Sequence, residues 1–169
     1  PPAPPVCYSG RLVPERDFPS NQGPDAQSVD PDLDIVTMAV KIPETLAHLH
    51  YWSVQLTRHA SKDEILDAFR ASPRISLIRT DDGLTAINAV KELMADLGRP
   101  HDSLYEVALW EDMLKVQGDE LFYAYMVDNQ AIVIPETIDA IRALTGIESD
   151  ADLSIGKTNA SLGIGFLHL

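Results

Sequence analysis

Eight of the twelve prolines fall within the first 32 residues, at positions 1, 2, 4, 5, 14, 19, 24 and 31. Proline fixes φ, lacks an N–H and pushes the residue before it out of the α region. A stretch this dense in proline admits neither a long helix nor an interior strand. Residues 1–32 therefore read as an irregular segment without helix and with little strand, and the core must come from residues 33–169.

At Leu33 the texture changes. Leu33–Ile42 is β-branched and almost continuously apolar, which predicts a buried strand. His48–Thr57 predicts a second strand, with His48, His50, Trp52, Val54 and Leu56 on one face because strand side chains alternate. Ser61 and Glu64 form a capping-box pair that opens a helix to about Ala71, ended by Pro73. Ile75–Ile78 reads as a short strand. A helix over Thr85–Leu97 carries Ile87, Val90, Leu93, Met94 and Leu97 on one stripe, with Gly98 as its cap. Glu106–Trp110 is a strand, and Leu114–Val116 and Glu120–Met126 form a hairpin across Gln117-Gly118-Asp119. Ala131–Ile134 reads as a strand edge. Pro135-Glu136 starts a helix to about Leu144, stopped by Gly146, and a final short helix with a glycine-rich tail follows. Hairpins mixed with helices predict an α+β fold: a mixed, largely antiparallel sheet with helices packed on one face.

The chain has 169 residues, 13 Lys+Arg against 26 Asp+Glu, and a formal net charge of −13. That balance argues against partners whose recognition needs clustered cations, so no nucleic acid and no anionic membrane surface are expected. No apolar run is long enough to span a bilayer. Asp outnumbers Glu 17 to 9, and Arg outnumbers Lys 8 to 5. Short carboxylates with few lysines suit a surface adapted to high salt, where screening removes self-repulsion; an ordinary acidic protein is the other reading. The single cysteine, Cys7, excludes an internal disulfide framework and fits a reducing compartment. With no basic neighbour or helix start beside it, it reads as an inert thiol.

Three groups of residues could carry chemistry. His48 and His50, two apart on a strand, read as half-buried polar residues beside Trp52, as a general base, or as a metal pair. Nothing nearby completes a metal set, so no metal is expected. Asn21-Gln22-Gly23 is a simple turn or a loop that donates amide hydrogen bonds to an anion. Asp128-Asn129-Gln130 closes a strand as a turn or as the polar lining of a pocket. Gly163-Ile164-Gly165 follows no strand and is not a dinucleotide-binding loop.

Five segments then stand in register: Asp34–His50 (DIVTMAVKIPETLAHLH), Ser72–Ile78 (SPRISLI), Asp96–Asp112 (DLGRPHDSLYEVALWED), Ile132–Leu144 (IVIPETIDAIRAL) and Thr158–Ile164 (TNASLGI). Together they resemble the catalytic domain of the archaeal-type (class II) phosphorylating glyceraldehyde-3-phosphate dehydrogenases, over residues 12–169. The resemblance implies a glycolytic and gluconeogenic dehydrogenase of the cytoplasm, a homotetramer using NAD or NADP. It oxidises glyceraldehyde 3-phosphate, with inorganic phosphate, to 1,3-bisphosphoglycerate through a cysteine thioester. It also implies that His48 is the base, with His50 a neighbour on the same face. Asn21 and Gln22 stand where the family has two substrate-phosphate histidines; both can donate hydrogen bonds but add no charge. Asn129 stands where the family has a nucleotide-contacting Gln.

The family's nucleotide-binding Rossmann domain and its Cys-Asn-Thr-Thr-like nucleophile motif fall outside this sequence, and Cys7 lacks that context. With its Pro-Pro-Ala-Pro-Pro opening, the chain reads as a C-terminal portion: residues 1–32 hold the substrate-phosphate loop and residues 33–169 form a catalytic and oligomerisation domain. Alone it is expected to be inactive. A second reading is a catalytically dead interaction module that assembles with an intact paralogue; a third is a metal-binding protein using His48 and His50. An anionic triose phosphate gives −13 no cationic partner to attract, so the excess is assigned to surface solvation in salt.

Overall fold

The computed structural model describes residues 13–43 and 46–165, which fall into two compact units, one on each side of residues 44–45. Cys7 and the Pro-Pro-Ala-Pro-Pro opening lie outside the described residues.

In the first unit, strand β1 (Val13–Pro14) pairs antiparallel with β2 (Val40–Lys41). Helix α1 (Gln22–Gln27) lies between them in sequence. Thr37 is the hub of this unit. Its Oγ1 accepts from the Gly23 N–H (3.0 Å), its carbonyl accepts from the Ser20 N–H (2.8 Å), and the two hydroxyls of Thr37 and Ser20 meet at 2.9 Å. Two expectations fail here. Residues 21–28 do hold a helical turn, because Pro24 sits in its first turn, where a missing N–H costs nothing. Leu33–Ile42 is not a buried strand: only Val40–Lys41 is strand, and Val36, Met38 and Val40 are exposed.

The second unit is built on a five-stranded sheet in the order β3-β7-β5-β4, with β6 also paired to β7. Its elements are β3 (Ala47–Gln55), α2 (Lys62–Arg70), β4 (Ile75–Ile78), α3 (Ile87–Asp96), β5 (Val107–Trp110), β6 (Lys115–Gln117), β7 (Glu120–Asp128), α4 (Val133–Thr145) and α5 (Ala151–Leu162). All pairings are antiparallel except β4 with β5, so the sheet is mixed and largely antiparallel, as expected of an α+β fold. The capping box forms: Ser61 Oγ accepts from the Glu64 N–H at 3.2 Å, and the Ser61 N–H donates to Glu64 at 2.8 Å. Gly118, at φ 63°, turns the β6–β7 hairpin, and Gly146, at φ 70°, ends α4.

Alternation along the strands sorts the core into two faces. Ala47, Ile78, Ala108, Trp110, Ala124 and Met126 pack with Val90 and Met94 of α3. Leu77, Leu109, Leu121 and Tyr123 pack with Leu66 and Phe69 of α2. The two helices thus cover opposite faces, and the expected one-face packing is corrected. The reason lies in β5, whose residues are buried on both sides, so both sides need cover. The segment 131–134 is not a strand edge. It turns directly into α4, which begins two residues before Pro135.

Candidate functional site

Strand β3 is an edge strand, and its alternation puts His48, His50 and Trp52 on one face, as the sequence predicts. The register sets His48 opposite Val127, His50 opposite Tyr125 and Trp52 opposite Tyr123. His48 is exposed, while His50 is half-buried with its ring stacked on Tyr125 at 4.8 Å and 13°. The row continues through Tyr123, 6.1 Å from Tyr125, to Phe69 of α2 at 5.4 Å. The His48 ring meets His50 edge-on at 6.0 Å. Burial, and then the neighbouring His48 charge, push the His50 imidazole below its ordinary range. His50 is therefore biased to the neutral form, and His48 is the solvent-exposed member of the pair.

The far end of β7 comes to the same place. Asp128 lies opposite Ala47, and the Asn129 N–H donates to the Leu46 carbonyl at 3.0 Å. His48 and Asn129, remote in sequence, are thereby brought to one end of the sheet. Asp128 is buried, and its Oδ1 accepts from the Gln130 and Ala131 N–H groups, both at 2.9 Å. Its Oδ2 accepts from Lys91 of α3 and from the Leu104 N–H at 3.4 Å. Burial opposes ionisation of Asp128, but Lys91 and the two amides hold its carboxyl below the usual range. Sequence reasoning placed Asp128 in a polar turn but missed Lys91 and Tyr125. The only local signal was an acidic residue just ahead of a helix, which is a capping pattern.

Asn21 and Gln22 both stand exposed at the start of α1 in the first unit. Among the described residues, no group of three or more His, Cys, Asp and Glu is arranged to hold a metal ion. Among them, too, no helix is long and apolar enough to cross a membrane.

The sequence that folds this way is similar to known proteins. Residues 7–112 match the family "Glyceraldehyde 3-phosphate dehydrogenase, C-terminal domain". The chain belongs to that family. It is 41% identical over 146 residues to the glyceraldehyde-3-phosphate dehydrogenase of Methanopyrus kandleri, covering 86% of this chain and 42% of that protein. It is 41% identical over 155 residues to the Metallosphaera sedula enzyme of that name (91% and 45%), and 44% identical over 144 residues to that of Pyrobaculum calidifontis (85% and 42%). The chain thus spans less than half the length of these curated relatives.

Proposed function

We propose that this chain supplies the C-terminal catalytic half of a phosphorylating dehydrogenase. The enzyme oxidises glyceraldehyde 3-phosphate, with NAD(P)+ and inorganic phosphate, to 1,3-bisphosphoglycerate. The observation that carries the reading is the meeting of an exposed His48 and the Asn129 turn at one sheet end, in a chain of this family.

In this reading a thiolate from outside the sequence adds to the aldehyde carbon. His48 accepts the hydroxyl proton of the adduct as that carbon is oxidised to a thioester. An oxygen of inorganic phosphate then attacks the thioester carbonyl and expels the thiolate. His50, stacked and biased to neutral, leaves no second positive charge beside the imidazolium that forms on His48. Asn21 and Gln22 donate hydrogen bonds to the substrate phosphate without adding charge. A nicotinamide dinucleotide supplies the hydride acceptor when bound. Asn129 fits a contact to it, being a half-buried amide on a backbone held by two neighbouring elements. Homotetrameric assembly in the cytoplasm and adaptation to salt belong to the same proposal.

The test is kinetic. In the full-length enzyme that carries this half, His48→Asn is expected to lower kcat by about 10²–10⁴-fold, the usual range for loss of a general base. Undiminished turnover in a folded variant overturns the assignment. A second reading, a non-catalytic module that docks on a complete paralogue, draws on the exposed apolar side chains of α4, among them Ile141 and Leu144. Full activity of the paralogue with this chain absent, and no co-purification of the two, would count against it.

A further inference from the structure

Asp128 is 4% exposed, yet it touches substrate in no part of the proposed mechanism. A buried carboxylate is costly unless charge and hydrogen bonds offset its lost hydration. Here the offset comes from three directions. Lys91 reaches it from α3, and the same ammonium donates to the Asp102 carbonyl at 2.5 Å. Leu104 donates from the loop before β5. Gln130 and Ala131 donate from the turn that follows, while the Asp128 carbonyl accepts from the Ile132 N–H at 3.2 Å. Side-chain acceptance from the second and third residues onward, with main-chain acceptance from the fourth, is the pattern of a helix N-cap. The cap is locked to α3 by the ion pair.

We propose that Asp128 is a positioning residue: paired with Lys91, it caps the 129–131 turn, and so fixes Asn129 and, through the Asn129 N–H bond to Leu46, the start of the strand that carries His48. Its meaning for catalysis rests on the reading of His48 and Asn129 given above. Two site residues remote in sequence would otherwise depend on the last backbone bond of an edge strand, where ladders fray. The buried pair removes that freedom by tying the turn to a helix packed in the core.

The experiment uses this chain, labelled for amide exchange and side-chain NMR. Asp128→Ala removes the Oδ1 that accepts from both cap amides. It is expected to speed exchange at Gln130 and Ala131 by about five- to tenfold relative to the core amides of Ala108 and Leu109, and to move the His48 ring resonances. Asp128→Asn keeps one cap oxygen and is expected to retain most protection at Gln130 and Ala131. Exchange at these amides rising only in step with the core overturns the proposal, as does a His48 signal unmoved while the turn loosens. If the Ala variant does not fold, Asp128→Asn carries the test: it keeps the cap oxygen and loses the Lys91 ion pair, so the turn should stay protected while the His48 resonances move, and either a His48 signal unmoved or a turn deprotected with an intact core overturns the proposal. Should His48 prove dispensable in turnover, these signals are unaffected, so failure of the catalytic reading and failure of this one are told apart.

Discussion

Asp139 of α4 sits at the centre of a network that joins α4, α5 and the approach to β4. Its Oδ1 accepts from Ser154 and Thr158, both at 2.6 Å, and its Oδ2 accepts from Arg74 at 2.5 Å. Arg74 also donates to Glu136 at 2.6 Å and to Asn159 at 3.0 Å. The Arg74 and Asp139 side chains are 11% and 15% exposed, so solvent screens the pair only weakly. Burial opposes ionisation of Asp139, but the hydroxyls of Ser154 and Thr158 and the Arg74 guanidinium outweigh it and hold its carboxyl down from 3.8 to about 2. At 1.36 kcal/mol per pKa unit, that difference contributes about 2 kcal/mol of stability at neutral pH. The folded pKa is depressed, so the contribution is present above pH 4 and is lost as pH falls through the folded value near 2. Asp139→Asn keeps the volume and removes the charge. It is expected to lower unfolding free energy in urea by about 2–3 kcal/mol at pH 7, less than a fully orphaned buried cation because Arg74 keeps Glu136. The gap to the native chain should narrow steadily between pH 4 and pH 2.5. A loss under about 0.5 kcal/mol at pH 7, or a gap that does not close on acidification, refutes the reasoning.

Met94 is 0% exposed in the core beneath α3, and Met94→Ala should cost about 2–5 kcal/mol in the same urea assay. Leu144, 87% exposed, should change stability by less than about 0.5 kcal/mol when replaced by Ala. Followed by NMR, His50 should titrate below ordinary imidazole, and Tyr125→Ala should move it back up by hydrating the ring. Because folding favours neutral His50, its term destabilises the fold as pH drops below the unfolded imidazole value; stability that rises on acidification would contradict this. With −13 net charge, the thermal midpoint should climb with added KCl through screening of self-repulsion, and a midpoint flat from low salt to 2 M would remove the case for salt adaptation. The chain alone, lacking the Cys-Asn-Thr-Thr-like motif, should form no NAD(P)H from glyceraldehyde 3-phosphate, which an absorbance assay checks directly.

What could be read from the sequence was whatever a few consecutive residues decide. Ser61 and Glu64 complete their box within one turn, and the stripe on α3 needs only its own period. The two histidines share a face because any strand would place them so. Leu33–Ile42 shows the limit. Its apolar, β-branched run signals burial only where a sheet exists to receive it, and its ladder partner is a two-residue strand. The 131–134 stretch fails for a related reason. Ile132, Val133 and Ile134 have strand propensity, but the turn that Asp128 caps just before them runs directly into α4, and tertiary context overrides propensity.

The site's supporting contacts lie deeper than local pattern. The chain holds twice as many acids as bases, so each cation has many possible partners and charge alone selects none. Topology makes the choice: Lys91 takes an acid 37 residues away, Arg74 one 65 away, and Arg99 one 7 away in Glu106. All three cations are nearly buried, where a mismatched partner would leave a charge without compensation. The basic residues least visible as functional in the sequence are therefore the ones that fix the turn, the helices and the C-terminal segment around the sheet end.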